Sequence, residues 1–161
     1  MFSAKQCEAP PRPFERPGYS PNELKEKLAG WWEPDIYSLQ IGTPRTVSEK
    51  FRRALTAAGL DAEQFASDYS RWWQYQADAR REAAIGPYQP DAENPVARLS
   101  AARDQEIADC FHVNEHILYS HRHGYYRQAM PALLDALERA GVDSSKFARD
   151  YNAWIARKNG A

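Results

Sequence analysis

All four histidines of this 161-residue chain fall in one stretch, CFHVNEHILYSHRH, residues 110 to 123. Imidazoles beside carboxylates suit two chemistries, divalent-metal binding and proton transfer near neutral pH. If residues 97–119 form one helix at about 100° per residue, Asp109, His112, Glu115, His116 and Tyr119 share a polar face. Ile107, Cys110, Phe111, Val113, Ile117 and Leu118 then form the apolar face. Asp109 with the i, i+4 pair His112 and His116 is the outline of a divalent-metal chelate, with His123 as a further nitrogen. Metal sites, however, usually draw ligands from two or more elements, and no histidine lies elsewhere in the chain. There is no His-Glu-x-x-His and no pair of Glu-x-x-His motifs. The plain alternative is a solvated polar face that touches a partner or titrates near neutral pH. Cys110, on the apolar side, reads as a small hydrophobe. Cys7 lies in a proline-rich segment, a poor place to preorganise a nucleophile.

Those residues need a scaffold, and the sequence punctuates one clearly. Ser20-Pro21-Asn22-Glu23 has the spacing of a capping box with proline at the first helical position, predicting a helix to about Trp32. Thr46 and Glu49 predict a second box, with Gly59 closing that helix near Ala58. Asp61 opens a long helix to about Ala84. Asn94-Pro95 restarts helix to about Tyr119, and further helices are expected over about 129–140 and from Asp143 to about Arg157. No stretch alternates with period two, so the class is all-α, about six helices. Residues 1–20, rich in proline, cannot form helix and read either as a disordered tail or as an extended arm, lying on this chain or a partner, with Phe14 and Tyr19 as anchors. Residues 21–84 and 97–158 read as two helical units packing as one domain, joined by a Pro/Gly connector, 85–96.

The two units look like copies. At an offset of 82 residues, 33–73 matches 115–155 at 15 of 41 positions. Each copy carries a leading helix, a Tyr-Ser-x-x-x-Gly-x-x-Arg loop and a helical hairpin. Phe65, Tyr69 and Trp72, like Phe147, Tyr151 and Trp154, form one helical stripe, which is a core pattern. Tyr37, Arg45 and Asp68 recur as Tyr119, Arg127 and Asp150. The arginines and aspartates are expected to tie each loop to its hairpin by ion pairs, and the rival reading makes the two loops equivalent ligand sites. The histidines occupy positions held by Gly30, Pro34, Leu39 and Ile41 in the first copy, so the cluster belongs to the second copy alone.

Composition excludes more than it assigns. Net charge is −1, so no overall field favours phosphate backbones or anionic membranes. The hairpin Ala54–Phe65 has the outline of a DNA-reading helix-turn-helix, but Asp61 and Glu63 sit where phosphate would repel them. No phosphate loop, nucleophile elbow or Cys-x-x-Cys is present. No apolar run is long enough to span a membrane, and two distant cysteines with no signal-peptide pattern suggest the cytoplasm. Adjacent helical residues point about 100° apart, so one core rarely buries both rings of Trp31-Trp32 or of Trp72-Trp73. The pairs either fill the seam between the two units or leave aromatic surface exposed. Trp32, Trp73, Tyr75 and Arg71 are therefore candidate partner-binding residues. The favoured expectation is a protein that binds another protein or a second copy of itself, as a regulator, inhibitor or immunity-like neutraliser, or accessory subunit. The alternative is a metal-binding protein or metalloenzyme centred on Asp109, His112 and His116. With no complete catalytic set, an enzyme is the less favoured reading.

Overall fold

The computed structural model describes residues 9–28 and 33–160, and every regular element among them is helical. These residues divide between positions 76 and 77 into two compact units. In the first, a 3-10 turn η1 (Pro13–Glu15) precedes α1 (Pro21–Lys27), α2 (Glu33–Ile41), α3 (Glu49–Ala57) and α4 (Ala62–Ile85), whose final residues belong to the second unit. The second unit continues with α5 (Pro95–Leu99), α6 (Asp104–Phe111), α7 (Glu115–Arg122), α8 (Pro131–Arg139) and α9 (Ser144–Gly160). The described residues thus hold nine α-helices, where the sequence suggested about six.

Capping explains most starts. The Ser20 hydroxyl accepts the Glu23 N–H at 3.3 Å while the Glu23 carboxylate accepts the Ser20 N–H at 3.1 Å, which opens α1. Those bonds to the ionised form hold the Glu23 carboxyl below its usual range. Helix α3 starts later than expected, because Ser48 and not Thr46 accepts the Phe51 N–H. Asp61 and Asp143 cap the hairpin helices by accepting from Gln64 and Lys146, both at 3.0 Å. Helix α2 was not expected. Pro34 lies in its first turn, where a missing N–H costs no helical bond.

The expected helix over 97–119 is broken twice. At Ser100 the backbone is extended, and the buried hydroxyl donates to the Ile85 carbonyl and accepts the Ala102 N–H. The Glu106 carboxylate, accepting the Arg103 backbone N–H at 3.1 Å and its guanidinium at 3.0 Å, then restarts helix. At His112 the chain turns left-handed, with φ +56°, and Val113 donates back to the Ala108 carbonyl. Asn114 caps α7 by accepting the His116 N–H at 2.8 Å. A helical stripe of apolar residues survives such a break, because each short helix keeps its own buried face; periodicity alone therefore missed it.

The first unit buries Leu24, Ile36, Phe51, Leu55, Phe65 and Tyr69. Its proline-rich start rests on this core: Phe14 meets Phe65 edge-on with centroids 5.5 Å apart, and Tyr19 stacks on it at 5.9 Å. The Tyr19 hydroxyl accepts the Asp61 N–H at 2.9 Å. In the second unit, Leu99, Ile107, Phe111, Leu118, Leu133, Leu137, Phe147, Tyr151 and Ile155 form the core, with Ile85 from α4. Helix α8 packs on α9, α6 on α7, and α5 against both α7 and α9. One charge is buried there and is satisfied. Arg81 donates to the Ala140 carbonyl at 2.9 Å and pairs with Asp78, its guanidinium 4.6 Å from the Tyr88 ring centre.

Several features of the described residues are spaced by 82 positions. Helices α7, α8 and α9 begin 82 residues after α2, α3 and α4 respectively. The Tyr69 hydroxyl donates to the Pro44 carbonyl, and the Tyr151 hydroxyl to the Tyr126 carbonyl. Gly42 N–H bonds to Leu39 O as Gly124 N–H does to His121 O. Both glycines have positive φ, and both are pressed by an indole: a Cβ would lie 3.2 Å from Trp72 at Gly42 and 3.3 Å from Trp154 at Gly124.

Candidate functional site

The histidines are dispersed by the break at 112. Asp109 is exposed on α6, His112 is the exposed left-handed cap, and His116 is exposed in the first turn of α7. The single helical face that would align Asp109, His112 and His116 is not formed. Among the described residues no group of three His, Cys, Asp or Glu is placed to hold a metal ion. His123, at the end of α7, lies against Tyr119 and Tyr125. Cys110 is half-buried, and burial pushes its thiol up, opposed by the nearby Arg81 charge, so it is a poor nucleophile. Cys7 lies outside the described residues.

His121, which sequence reasoning set aside, is the completely buried one. Its Nδ1 donates to the Ile117 carbonyl at 2.7 Å, which leaves Nε2 to accept the Met130 N–H at 3.0 Å. Tyr126 and Tyr151 pack against the ring. Burial holds its pKa down, partly opposed by the Ile117 bond. His121 is thus a neutral structural histidine, fixing the residue that precedes α8.

Of the partner-binding candidates, Trp32 lies outside the described residues. Trp73 is a correction: it is 6% exposed, and its indole N–H donates to the Gly42 carbonyl at 3.0 Å. Trp72 is buried as well, because the Gly42 turn admits both rings. Tyr75 is half-buried, and Arg71 is exposed beside Ser67. The polar pairs also find other partners. Asp68, nearly buried, pairs with Arg16 and accepts from Gln64, while Asp150 pairs with Arg98 and Lys146. The Arg45 guanidinium lies 5.6 Å from the Trp73 ring centre, and Arg127 is exposed. Arg16 and Arg98 are themselves 82 positions apart, as are Pro13 and Pro95. Following the same offset upstream of residue 33 would have found them.

What remains exposed is informative. Tyr37 is 57% exposed and Tyr119 42%, at equivalent positions of α2 and α7. Ile41 accompanies the first, and Tyr125 and Met130 are exposed in the second unit. Tyr119, His123 and Tyr125 form a three-ring cluster with centroid distances of 4.1, 5.7 and 6.2 Å. No helix among the described residues is long and apolar enough to cross a membrane. Comparison with protein-family models, curated proteins and solved structures finds no match to this chain.

Proposed function

We propose that the chain is a small protein-binding protein, a regulator, inhibitor or immunity-like neutraliser, or accessory subunit, whose partner is another protein or a second copy of itself. The carrying observation is the recurrence of an exposed tyrosine, Tyr37 and Tyr119, at the same place in each unit, beside Ile41 in one and Tyr125 in the other. Scattered exposed hydrophobics are ordinary; large side chains repeated at one location of a scaffold whose other shared aromatics are core are what interface anchors look like. The reading includes duplication of one helical unit, supported by the common helix starts and by the matched tyrosine–carbonyl bonds at the 82-residue offset. It places the protein in the cytoplasm, away from membranes and nucleic acids, because the net charge is near zero and the cysteines are few and distant.

The test is purification of untagged protein from its own cells, followed by native mass spectrometry of wild type and of a Tyr37→Ala/Tyr119→Ala variant. A stoichiometric partner or dimer is expected in the wild type and should be lost in the variant. Thermal unfolding should change by no more than about 0.5 kcal/mol, since both side chains are exposed. A wild-type monomer without any partner overturns the reading.

A further inference from the structure

The two equivalent faces differ in chemistry. Where the second unit has Tyr119, His123, Tyr125 and Lys158, the first has Tyr37, Ile41, Thr43 and Gln76. In the second, three rings touch one another while Tyr125 remains 66% exposed, so a clustered aromatic surface is left open to water. Lys158 reaches this cluster from the last turn of α9. Its Nζ donates to the His123 carbonyl at 2.8 Å and lies 5.3 Å from the Trp154 ring centre. Gly124 makes room for it, since a Cβ there would lie 3.0 Å from Nζ. Among the described residues no carboxylate pairs with this ammonium.

The neighbourhood repeats the imbalance. Residues 115–130 and 154–160 contain one carboxylate, Glu115, against Arg122, Arg127, Arg157 and Lys158. Of these cations Arg122 is already spent on Asp104, at 2.6 Å. The equivalent stretches 33–48 and 72–78 carry Glu33, Asp35 and Asp78 against Arg45 alone. We infer that the Tyr119–His123–Tyr125 face, with Lys158 at its edge, docks an acidic segment of a partner protein. Its carboxylates would take the Lys158 ammonium and the tyrosine hydroxyls, and its apolar side chains would cover the rings. The inference rests on the protein-binding reading above and adds the partner's chemistry. A protein segment fits better than a nucleic acid: one ammonium at the edge of a ring cluster is not the stripe of cations that a phosphate backbone requires.

Fluorescence anisotropy with defined probes tests this on the full chain. The probes are a Gly-spaced peptide bearing Glu and Phe, its Gln and Lys counterparts, and an oligothymidylate. The Glu peptide should bind about tenfold more tightly than the Gln peptide, and the preference should shrink as salt rises. Lys158→Gln should abolish the preference and Lys158→Arg should keep it. Tyr125→Ala should weaken both peptides by about tenfold, with unchanged circular dichroism. Equal binding of the Glu and Gln peptides, tightest binding of the oligothymidylate, or no peptide binding at all overturns the inference. A native partner released by the Tyr37→Ala/Tyr119→Ala variant would survive such a result, so the broader reading and this one fail separately.

Discussion

Tyr69 and Tyr151 are fully buried, and each gives its hydroxyl to a carbonyl 25 residues earlier. Burial pushes the Tyr69 phenol up to about 12, so it remains a donor throughout the ordinary pH range. Tyr69→Phe and Tyr151→Phe should each cost about 1–2 kcal/mol in urea unfolding, since each strands a loop carbonyl without disturbing the ring. A loss in one and none in the other would argue against equivalent roles. His121 predicts a pH effect of definite sign. Its folded pKa lies below the ordinary 6.5, so the unfolded chain binds the proton more readily. Stability should therefore fall as pH drops below about 6.5, because the protonated ring cannot accept the Met130 N–H. In His121→Leu, which copies the equivalent Leu39, this component of the pH dependence should vanish; an unchanged profile would assign it to other groups. None of this was legible from the histidine cluster. Composition marked four histidines alike, whereas burial separates His121 from the three exposed ones; the equivalent residues could not have separated them, since apolar Leu39 matches His121 but apolar Ile41 matches the exposed His123.

Among the elements, legibility followed the strength of the local signal. The Ser20 box, the Asp61 and Asp143 caps and the two hairpins appear where spacing and turn residues put them. The break at His112 was illegible because no glycine marks it; a histidine carries the left-handed turn instead. His112→Gly should consequently stabilise the protein by about 1 kcal/mol in thermal unfolding, the left-handed cost removed. No gain would mean that the imidazole makes up for its backbone conformation. The two glycine turns grade a second expectation. Gly124→Ala puts a methyl 2.9 Å from the Ile155 side chain and 3.0 Å from Lys158, against 3.2 Å from Trp72 for Gly42→Ala. Contact and positive φ act together at both, and the cost should be larger at 124, by about 1 kcal/mol. The candidate site failed on the same ground as the helix that was meant to present it: once residues 97–119 are three helices, spacing no longer says which side chains share a face.

At the scale of the molecule, the division between positions 76 and 77 falls inside α4, a continuous helix of 24 residues. Gln76→Pro should cost about 3 kcal/mol or more. Hydrogen exchange should quicken on both sides, over 62–75 and over 77–85; protection lost on one side only would show that the two units do not share the helix's stability. The exposed faces on α2 and α7 could not be located from composition, since Trp73, marked as a surface candidate, is buried, and Tyr37, marked as a loop residue, is helical and exposed. The helix has a practical consequence for dissecting this protein. Proteases cut at exposed irregular segments, and the border between the units offers none. The proline-rich stretch 86–94 does, yet it lies within the second unit. A digest would therefore return an N-terminal fragment carrying 77–85, including the buried Arg81 and Ile85, and a C-terminal fragment robbed of part of its own core. The fragment map would misstate where one half ends and the other begins.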